Sequence, residues 1–243
     1  MTSLLGAVAF LTRLPVGSPA LDDDRLARAV PWFAVVGGAI GLAVAGVYAA
    51  GHLVLPSPVA AALAIGAGVV LTGGLHEDGL ADVADAAGGW TVADRRRILD
   101  DPRHGTYGGL ALVLSVVVRV TALAALAPAA AVGAAVAAHA LGRASAAGLM
   151  ALGPVAPSGM AGSYARRLRG GHAAVAIVTG TALGSAGLRV WVGPAVALAV
   201  LAVLGTRRWA RRHLEGVTGD VLGACEQLTE TAVLVLAAAL PRT

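Results

Sequence analysis

The sequence predicts an all-α fold, a polytopic bundle of about seven transmembrane helices, and three observations support this fold class. Of the 243 residues, 57% are hydrophobic and only 13% are charged, which is about half the charged fraction of a typical soluble domain. The mean hydropathy is +0.78, so little polar surface remains to cover a soluble globule. Apolar stretches of about 20 residues, the length that crosses the hydrocarbon core, recur along the chain. We predict a single membrane domain over residues 1–243.

Seven apolar segments are candidates for these membrane spans. In chain order they cover residues 30–50, 58–75, 108–127, 129–151, 173–187, 190–205 and 221–240. The fifth and sixth segments are short and glycine-rich, and only Leu188 and Arg189 separate them. Either of them is therefore a candidate for a tilted or re-entrant segment. No cleavable signal peptide is expected, because no basic residue precedes the apolar run 4–11.

The arginines predict how the spans are oriented. All 18 basic residues are arginine and the formal net charge is +4. No basic patch is interleaved with aromatic residues, so we expect no nucleic-acid partner. With a cytoplasmic N-terminus, most arginines fall in cytoplasmic segments, whereas Arg189 and Arg242 fall outside and Arg119 and Arg143 lie within spans. This bias favours a cytoplasmic N-terminus and an external C-terminus.

The hydrophilic loop 76–107, inserted between the second and third spans, is the expected place of the chemistry. It contains seven of the fourteen acidic residues. Asp78, Asp82 and Asp85 are spaced i, i+4 and i+7, so on a helix their carboxylates share one face and repel each other. A divalent cation would relieve that repulsion, and carboxylates with substrate phosphates are typical Mg²⁺ ligands. The alternative is a solvated acidic face that binds nothing.

Three residues of this loop are candidates for catalysis. Glu77 lies beside the acidic face and is predicted either to complete the metal site or to act as a base. Asp82 lies at the centre of the acidic face. For His76 the sequence leaves three interpretations open: a base, a phosphate contact or an interfacial side chain.

The later part of the loop is a candidate phosphate site. Arg103 precedes the glycine-rich run Gly105-Thr106-Tyr107-Gly108. Guanidinium groups bind phosphates in a bidentate manner, and the start of a helix offers free backbone N–H groups to an anion. For the triple arginine 95–97, anchoring to anionic lipid is the favoured interpretation.

Charged residues inside spans are costly and therefore candidates for function. They are Arg119, Arg143, Glu226 and Glu230. One interpretation is internal ion pairs between them, and the other is a polar cavity in which Arg143 contacts a substrate phosphate. Asp220, at the start of the last span, is either a helix N-terminal acid favoured by the helix dipole or a further site carboxylate.

These residues together resemble the adenosylcobinamide-GDP ribazoletransferase, or cobalamin synthase, family. The resemblance covers nearly the whole chain and rests on the following segments: Phe10-Leu11-Thr12-Arg13-Leu14-Pro15, Pro31 with the region 37–41, Leu75-His76-Glu77-Asp78-Gly79-Leu80-Ala81-Asp82 with Asp85, Asp101-x-Arg103-x-Gly105-Thr106-Tyr107-Gly108, Gly142-Arg143 and Thr218-Gly219-Asp220. Ala86 departs from the family, whose members often have glycine there. This difference should only make the helix more continuous.

The resemblance implies a Mg²⁺-dependent enzyme of the bacterial inner membrane with a cytoplasmic active site. Such an enzyme transfers adenosylcobinamide phosphate from adenosylcobinamide-GDP to α-ribazole or its 5′-phosphate, and releases GMP. The resemblance also implies that Arg13, Arg143 and Asp220 belong to the substrate site. The lipid bilayer is an expected partner, and a second copy of the chain or other enzymes of cobalamin assembly are candidate partners.

Two other functions fit parts of the sequence. The acidic run resembles the Asp-rich motif of CDP-alcohol phosphotransferases, but the Ala-Arg pair after the glycine and the later Gly-x-x-x-Asp-x-x-x-Asp are missing. An ion-coupled transporter would use the charges within the spans, but it predicts matching broken helices in two halves of the chain. The sequence shows no such internal symmetry.

Overall fold

The computed structural model describes residues 3–17, 22–156 and 165–240, and these residues are almost entirely helical. The α-helices are α1 (Ser3–Leu11), α2 (Asp23–Ala29), α3 (Phe33–His52), α4 (Ser57–Thr72), α5 (Leu75–Ala87), α6 (Val92–Leu99), α7 (Thr106–Ala124), α8 (Pro128–Leu152), α9 (Gly170–Leu188), α10 (Val192–His213) and α11 (Gly219–Ala239). Within the described ranges the only β-type pairing is one isolated bridge between Val155 and Val217. The predicted all-α class is confirmed.

Several helices are long and apolar enough to cross a membrane. Over the described residues there are five such stretches: Asp23–His52, Thr106–Ala124, Pro128–Leu152, Gly170–His213 and Gly219–Ala239. A sixth arises if α4 and α5, which meet at 92°, are counted as one span. The prediction of a polytopic helical membrane protein is therefore confirmed. Helix length and composition give five or six crossings and do not confirm the predicted seven. Arg242 lies outside the described residues.

The stretch Gly170–His213 consists of two helices that run in opposite directions. Near the end of α9, the backbone of Gly187 touches that of Gly133, close to the start of α8. Near the end of α10, the Arg207 Nε–H donates to the Gly153 carbonyl at 2.8 Å, just past the end of α8. α9 is therefore antiparallel to α8 and α10 is parallel to it, and the chain reverses at the 3₁₀ turn Arg189–Trp191.

Helix α8 is the centre of the bundle, and small residues let its neighbours approach closely. Gly37 and Gly41 of α3 lie against the carbonyls of His139 and Ala135. On another face of α8, Gly142 lies directly beside the Glu226 side chain of α11. Lipid tails are as apolar as the helix surfaces, so the hydrophobic effect does not drive helices together within a membrane. Close packing of the kind seen here is then a main source of helix association.

Two consecutive glycines turn the chain sharply from α4 into α5. Gly73 has φ 70° and Gly74 has φ 69°, a left-handed conformation that L-residues with a Cβ adopt at a cost. As a result α5 runs across the end of α4 instead of continuing along it, and places the acidic run at the edge of the bundle. The predicted helix over this run is confirmed, and it continues through Ala86 to Ala87.

We expect Gly74→Ala to destabilise the protein by about 1–2 kcal/mol, the cost of a left-handed residue with a Cβ. A Cβ at Gly74 would meet only Val69, at ordinary contact distance, so conformation and not crowding sets the effect. The matched control is Gly66→Ala in α4, where the added Cβ meets nothing within 4 Å. Thermal unfolding in detergent should show a lower midpoint for the first variant only. Equal midpoints would contradict the conformational explanation.

Candidate active site

Two aspartates of α5 and a histidine from the following loop form an acidic cluster. His104 Nε2 lies 3.6 Å from Asp78 Oδ1, and His104 Nδ1 lies 3.5 Å from Asp82 Oδ1. One ligand atom from each of the three residues falls within 4.8 Å of the others. The Asp82 side chain is only 16% exposed, whereas that of Asp78 is 63% exposed. The sequence analysis did not assign His104 to the metal site; its position directly before the Gly105 to Gly108 run was the only signal.

Asp85 lies on the same helix face but is engaged elsewhere. Its carboxylate accepts backbone N–H bonds from Gly105 at 2.6 Å and from Gly108 at 2.8 Å. These amides belong to the N-terminus of α7, so Asp85 caps that helix from a neighbouring helix. Two of the backbone donors in the segment that the sequence assigns to a phosphate are therefore occupied by this carboxylate. Gly108 has no room for a Cβ beside Asp85 and the Ala81 carbonyl.

The other predicted residues of the phosphate segment lie at the surface. Arg103 forms a bidentate pair with Asp101, at 2.9 and 2.7 Å, and these hydrogen bonds lower the pKa of Asp101 to about 2. Thr106 is exposed at the start of α7. The exposed ring of Tyr107 lies against Gly88.

Asp82 has the perturbed acidity of a crowded carboxyl group. Its pKa is raised from 3.8 to about 6, first by burial and then by repulsion from Asp78 and Asp220, with a smaller contribution from Asp85. His104 acts in the opposite direction. Ionisation of Asp82 is therefore less favourable than that of an ordinary aspartate, as expected for clustered carboxylates.

This shift predicts a pH-dependent stability in the absence of divalent cations. The folded-state pKa of Asp82 lies above its ordinary value. Its contribution to the free energy of unfolding is therefore fully present below about pH 3.8 and is lost as the pH rises through about 6. In EDTA, the melting temperature of the wild type should fall over this window relative to that of Asp82→Asn. Parallel pH profiles of the two proteins would contradict the assignment.

Behind the acidic cluster, Glu77 points into a buried ionic network. Arg119 Nη1 donates to Glu77 Oε1 at 3.1 Å and to Glu230 Oε1 at 3.0 Å. Arg143 Nη1 donates to Glu230 Oε2 at 2.9 Å and also contacts Glu226. Each of the two arginines is thus paired with glutamates inside the bundle. Internal ion pairs are therefore present, as one of the two interpretations predicts; Arg143 also lines a cavity, and its contact with a substrate phosphate stays a prediction.

Two histidines border this network. His139 Nδ1 lies 2.7 Å from Glu230 Oε2. His76 Nδ1 is buried 3.7 Å from Glu226 Oε2 and has no hydrogen-bond partner within the described part of the chain. His76 thus joins the network to the surface of the cavity that it lines.

Two cavities flank the start of α5. The α8-side cavity, of about 660 Å³, is lined by Phe10, Leu11, Phe33, Leu75, His76, Asp78, Arg96, Leu99, Asp100, Arg143, Ala146, Met150, Ala156, Thr218, Gly219, Asp220, Leu222 and Gly223. The α7-side cavity, of about 580 Å³, is lined by Ala9, Phe10, Thr12, Arg13, Thr72, Gly73, Gly74, Leu75, Glu77, Asp78, His104 and Leu112. Both are in the size range of small-molecule sites.

The cavities gather residues that are distant in the sequence. Asp220 and His76 meet in the α8-side cavity because α11 packs on α5, where Gly79 touches the Asp220 backbone and Gly223 touches that of His76. Arg13 lines the α7-side cavity with its guanidinium against Gly73. Helix α1 contributes to both cavities through Phe10, a role that its apolar sequence did not reveal.

Comparisons with known proteins show the family of the chain. The family described as cobalamin-5-phosphate synthase matches residues 3–238. An adenosylcobinamide-GDP ribazoletransferase of Bradyrhizobium diazoefficiens is 43% identical, over 96% of this chain and 92% of its own length. Proteins of the same name from Azorhizobium caulinodans and Shewanella frigidimarina are 40% and 36% identical, over 94% and 96% of this chain and 92% and 94% of their own lengths. No solved structure shows significant similarity to the chain. The chain belongs to the cobalamin-5-phosphate synthase family.

Proposed function

We propose that this protein is an adenosylcobinamide-GDP ribazoletransferase, which joins adenosylcobinamide phosphate to ribazole or its 5′-phosphate and releases GMP. Similarity to relatives of that name over nearly their full lengths supports the reaction. The single structural observation that carries the proposal is the position of Asp78. Its carboxylate belongs to the acidic cluster and also lines both cavities. Two substrates and a transferred phosphorus can therefore meet at one place.

We further propose that the site uses Mg²⁺. The carboxylates of Asp78 and Asp82 are suitable hard ligands. The pKa of Asp82 is raised by burial and by neighbouring carboxylates, and a bound cation would offset this repulsion. The imidazole of His104 is a poorer Mg²⁺ ligand. The carboxylate of Asp85 is bonded to two backbone amides and that of Glu77 to Arg119, so we propose that these two residues position the site and do not bind the ion. When bound, Mg²⁺ would stabilise negative charge on the diphosphate and on the departing nucleotide.

The proposed reaction is a direct displacement at phosphorus. A hydroxyl oxygen of ribazole forms a bond to the phosphorus that stays with the corrinoid, and the bond from that phosphorus to the GMP oxygen breaks. GMP leaves with the electron pair. His76, whose buried imidazole lines the α8-side cavity, is proposed to accept the hydroxyl proton, a role that Glu77 is less able to fill because Arg119 holds it.

We propose that the chain crosses the bacterial inner membrane seven times, with the N-terminus and the active site on the cytoplasmic side. Helices α9 and α10 form one candidate stretch by length and composition, Gly170–His213. Because they run antiparallel to each other, they support two crossings. The basic end of α10, with Arg211, Arg212 and His213 in its last turn, precedes α11, whose start lines the α8-side cavity. This agrees with the excess of arginine on the cytoplasmic side of membrane proteins. Exposed apolar side chains such as Leu114 and Leu201 are proposed to face lipid.

The test of the proposed function is a GMP-release assay on the purified protein in detergent or nanodiscs. Release from adenosylcobinamide-GDP should require α-ribazole and should rise with added Mg²⁺. A CDP-activated lipid with its alcohol acceptor, offered to the same preparation, should yield no CMP. Release of CMP without GMP would instead identify a CDP-alcohol phosphotransferase.

A further inference from the structure

We infer that the two substrates reach the reacting phosphorus from opposite sides of a shared wall. Ribazole occupies the α8-side cavity, and the guanosine diphosphate part of the donor occupies the α7-side cavity. This inference rests on the proposed function, because that function supplies the two substrates. It goes further by assigning each substrate to its own cavity.

The shared wall is the first observation. Phe10, Leu75 and Asp78 line both cavities, so these residues form the shared wall, and Asp78 brings a carboxylate of the acidic cluster to it. In a direct displacement at phosphorus, the entering and leaving oxygens lie roughly in line on opposite sides of the phosphorus. A phosphorus held at Asp78 would border both cavities, which is the arrangement that an in-line displacement between them needs.

The α8-side cavity has the chemistry of a site for a flat aromatic nucleoside. The rings of Phe10 and Phe33 are stacked, 5.6 Å apart and inclined by 9°, and Met150 and Leu222 add apolar surface. The benzimidazole base of ribazole is a flat aromatic group of the kind that such surfaces bind.

The charges of the α8-side cavity disfavour a diphosphate. Its lining includes the carboxylates of Asp78, Asp100 and Asp220, which are acceptors for ribose hydroxyl groups and repel phosphate. Its two arginines are already engaged. Arg96 pairs with Glu215 at 2.9 Å, and Arg143 pairs with glutamates of α11.

The α7-side cavity has the opposite character. Arg13 lines it, and over the residues that the structure describes Arg13 takes part in no ion pair. His104 lines the same cavity. Of the two carboxylates there, Glu77 is held by Arg119 and only Asp78 is left to face the ligand. An unpaired guanidinium is the side chain best suited to bind a phosphate.

The assignment fixes the direction of the group transfer. The new P–O bond forms on the α8 side, from the ribazole hydroxyl, whose proton is lost on that side. The P–O bond to GMP breaks on the α7 side, and GMP departs beside Arg13 with the electron pair. Atoms and charge balance without any further reactant.

Thiol protection tests this assignment without relying on turnover. Ala146→Cys places a thiol in the α8-side cavity and Ala9→Cys places one in the α7-side cavity. The native Cys225 is fully buried, so the introduced thiols dominate reaction with methyl methanethiosulfonate. At ten times its Kd, a ligand that covers a thiol should slow modification about tenfold. We expect α-ribazole to protect only the Ala146→Cys variant and GMP to protect only the Ala9→Cys variant.

The outcomes separate this inference from the proposed function. If the wild type releases no GMP from adenosylcobinamide-GDP, the proposed function fails. If the wild type is active and both ligands protect the same thiol, protect the opposite thiols or protect neither, the assignment of the cavities is overturned. Met150→Cys and Leu112→Cys, which line the same two cavities, repeat the test should either alanine variant fold poorly.

Discussion

Asp82→Ala should reduce GMP release from adenosylcobinamide-GDP by about 1,000-fold, a loss of about 4 kcal/mol of transition-state stabilisation. Asp82 is the least exposed carboxylate of the acidic cluster, and its pKa is raised by burial and by its acidic neighbours. Removing it takes away a proposed Mg²⁺ ligand and also the interaction with His104. The protein should still fold, because this change relieves repulsion at the surface of α5. Initial rates over a Mg²⁺ titration measure the effect.

The matched control for this prediction is Asp94→Ala. Asp94 belongs to the same hydrophilic segment, but among the described residues the hydrogen bonds that it accepts are those of the capping box of α6. Its loss should cost about 1 kcal/mol of local helix stability and leave the rate of GMP release nearly unchanged. Wild-type turnover by Asp82→Ala in detergent would refute the proposed metal site.

Glu230→Ala should be the most destabilising single substitution of a charged residue, at about 3–5 kcal/mol. Glu230 is 1% exposed and bridges Arg119, Arg143 and His139 with its two oxygens. Without it, two guanidinium groups inside the membrane bundle lose a counter-charge that water cannot replace. Thermal unfolding in detergent and the yield of monodisperse protein measure this effect.

Glu215→Ala is the matched control, because Glu215 pairs with Arg96 at 2.9 Å in a half-exposed ion pair. Such exposed pairs contribute about 0–1 kcal/mol, so this variant should unfold near the wild-type temperature. If the two variants unfold at the same temperature, the buried network does not hold α5, α7, α8 and α11 together. Glu230→Gln, which keeps an acceptor oxygen, should fall between them.

Helix periodicity and hydropathy are local properties, and the sequence was sufficient to predict what depends on them. The apolar stretches became helices, and the i, i+4, i+7 spacing placed Asp78, Asp82 and Asp85 on one face of α5. The paired glycines at 73 and 74 are visible in the sequence, but the 92° bend that they allow appears only in the structure. Glycine permits a left-handed conformation without requiring it.

Contacts between distant parts of the chain had to be learned from the tertiary structure. Asp85 shares a face with Asp82, yet its carboxylate is taken by amides 20 and 23 residues later, while His104 comes to the cluster in its place. Glu77 and Arg119 are 42 residues apart, and Arg143 and Glu230 are 87 apart.

The sequence by itself thus determined a helical membrane protein of the cobalamin-5-phosphate synthase family with an acidic helix beside the bundle. The tertiary structure alone decided which charges are free and which are paired. The physical reason is that every charge inside the bundle must find an opposite charge, and the sequence offers several arginines and glutamates that satisfy this need equally. Only the packing of α5, α7, α8 and α11 selects the pairs, and in doing so it leaves Arg13 and Asp78 available at the cavities and Asp82 in the acidic cluster beside Asp78.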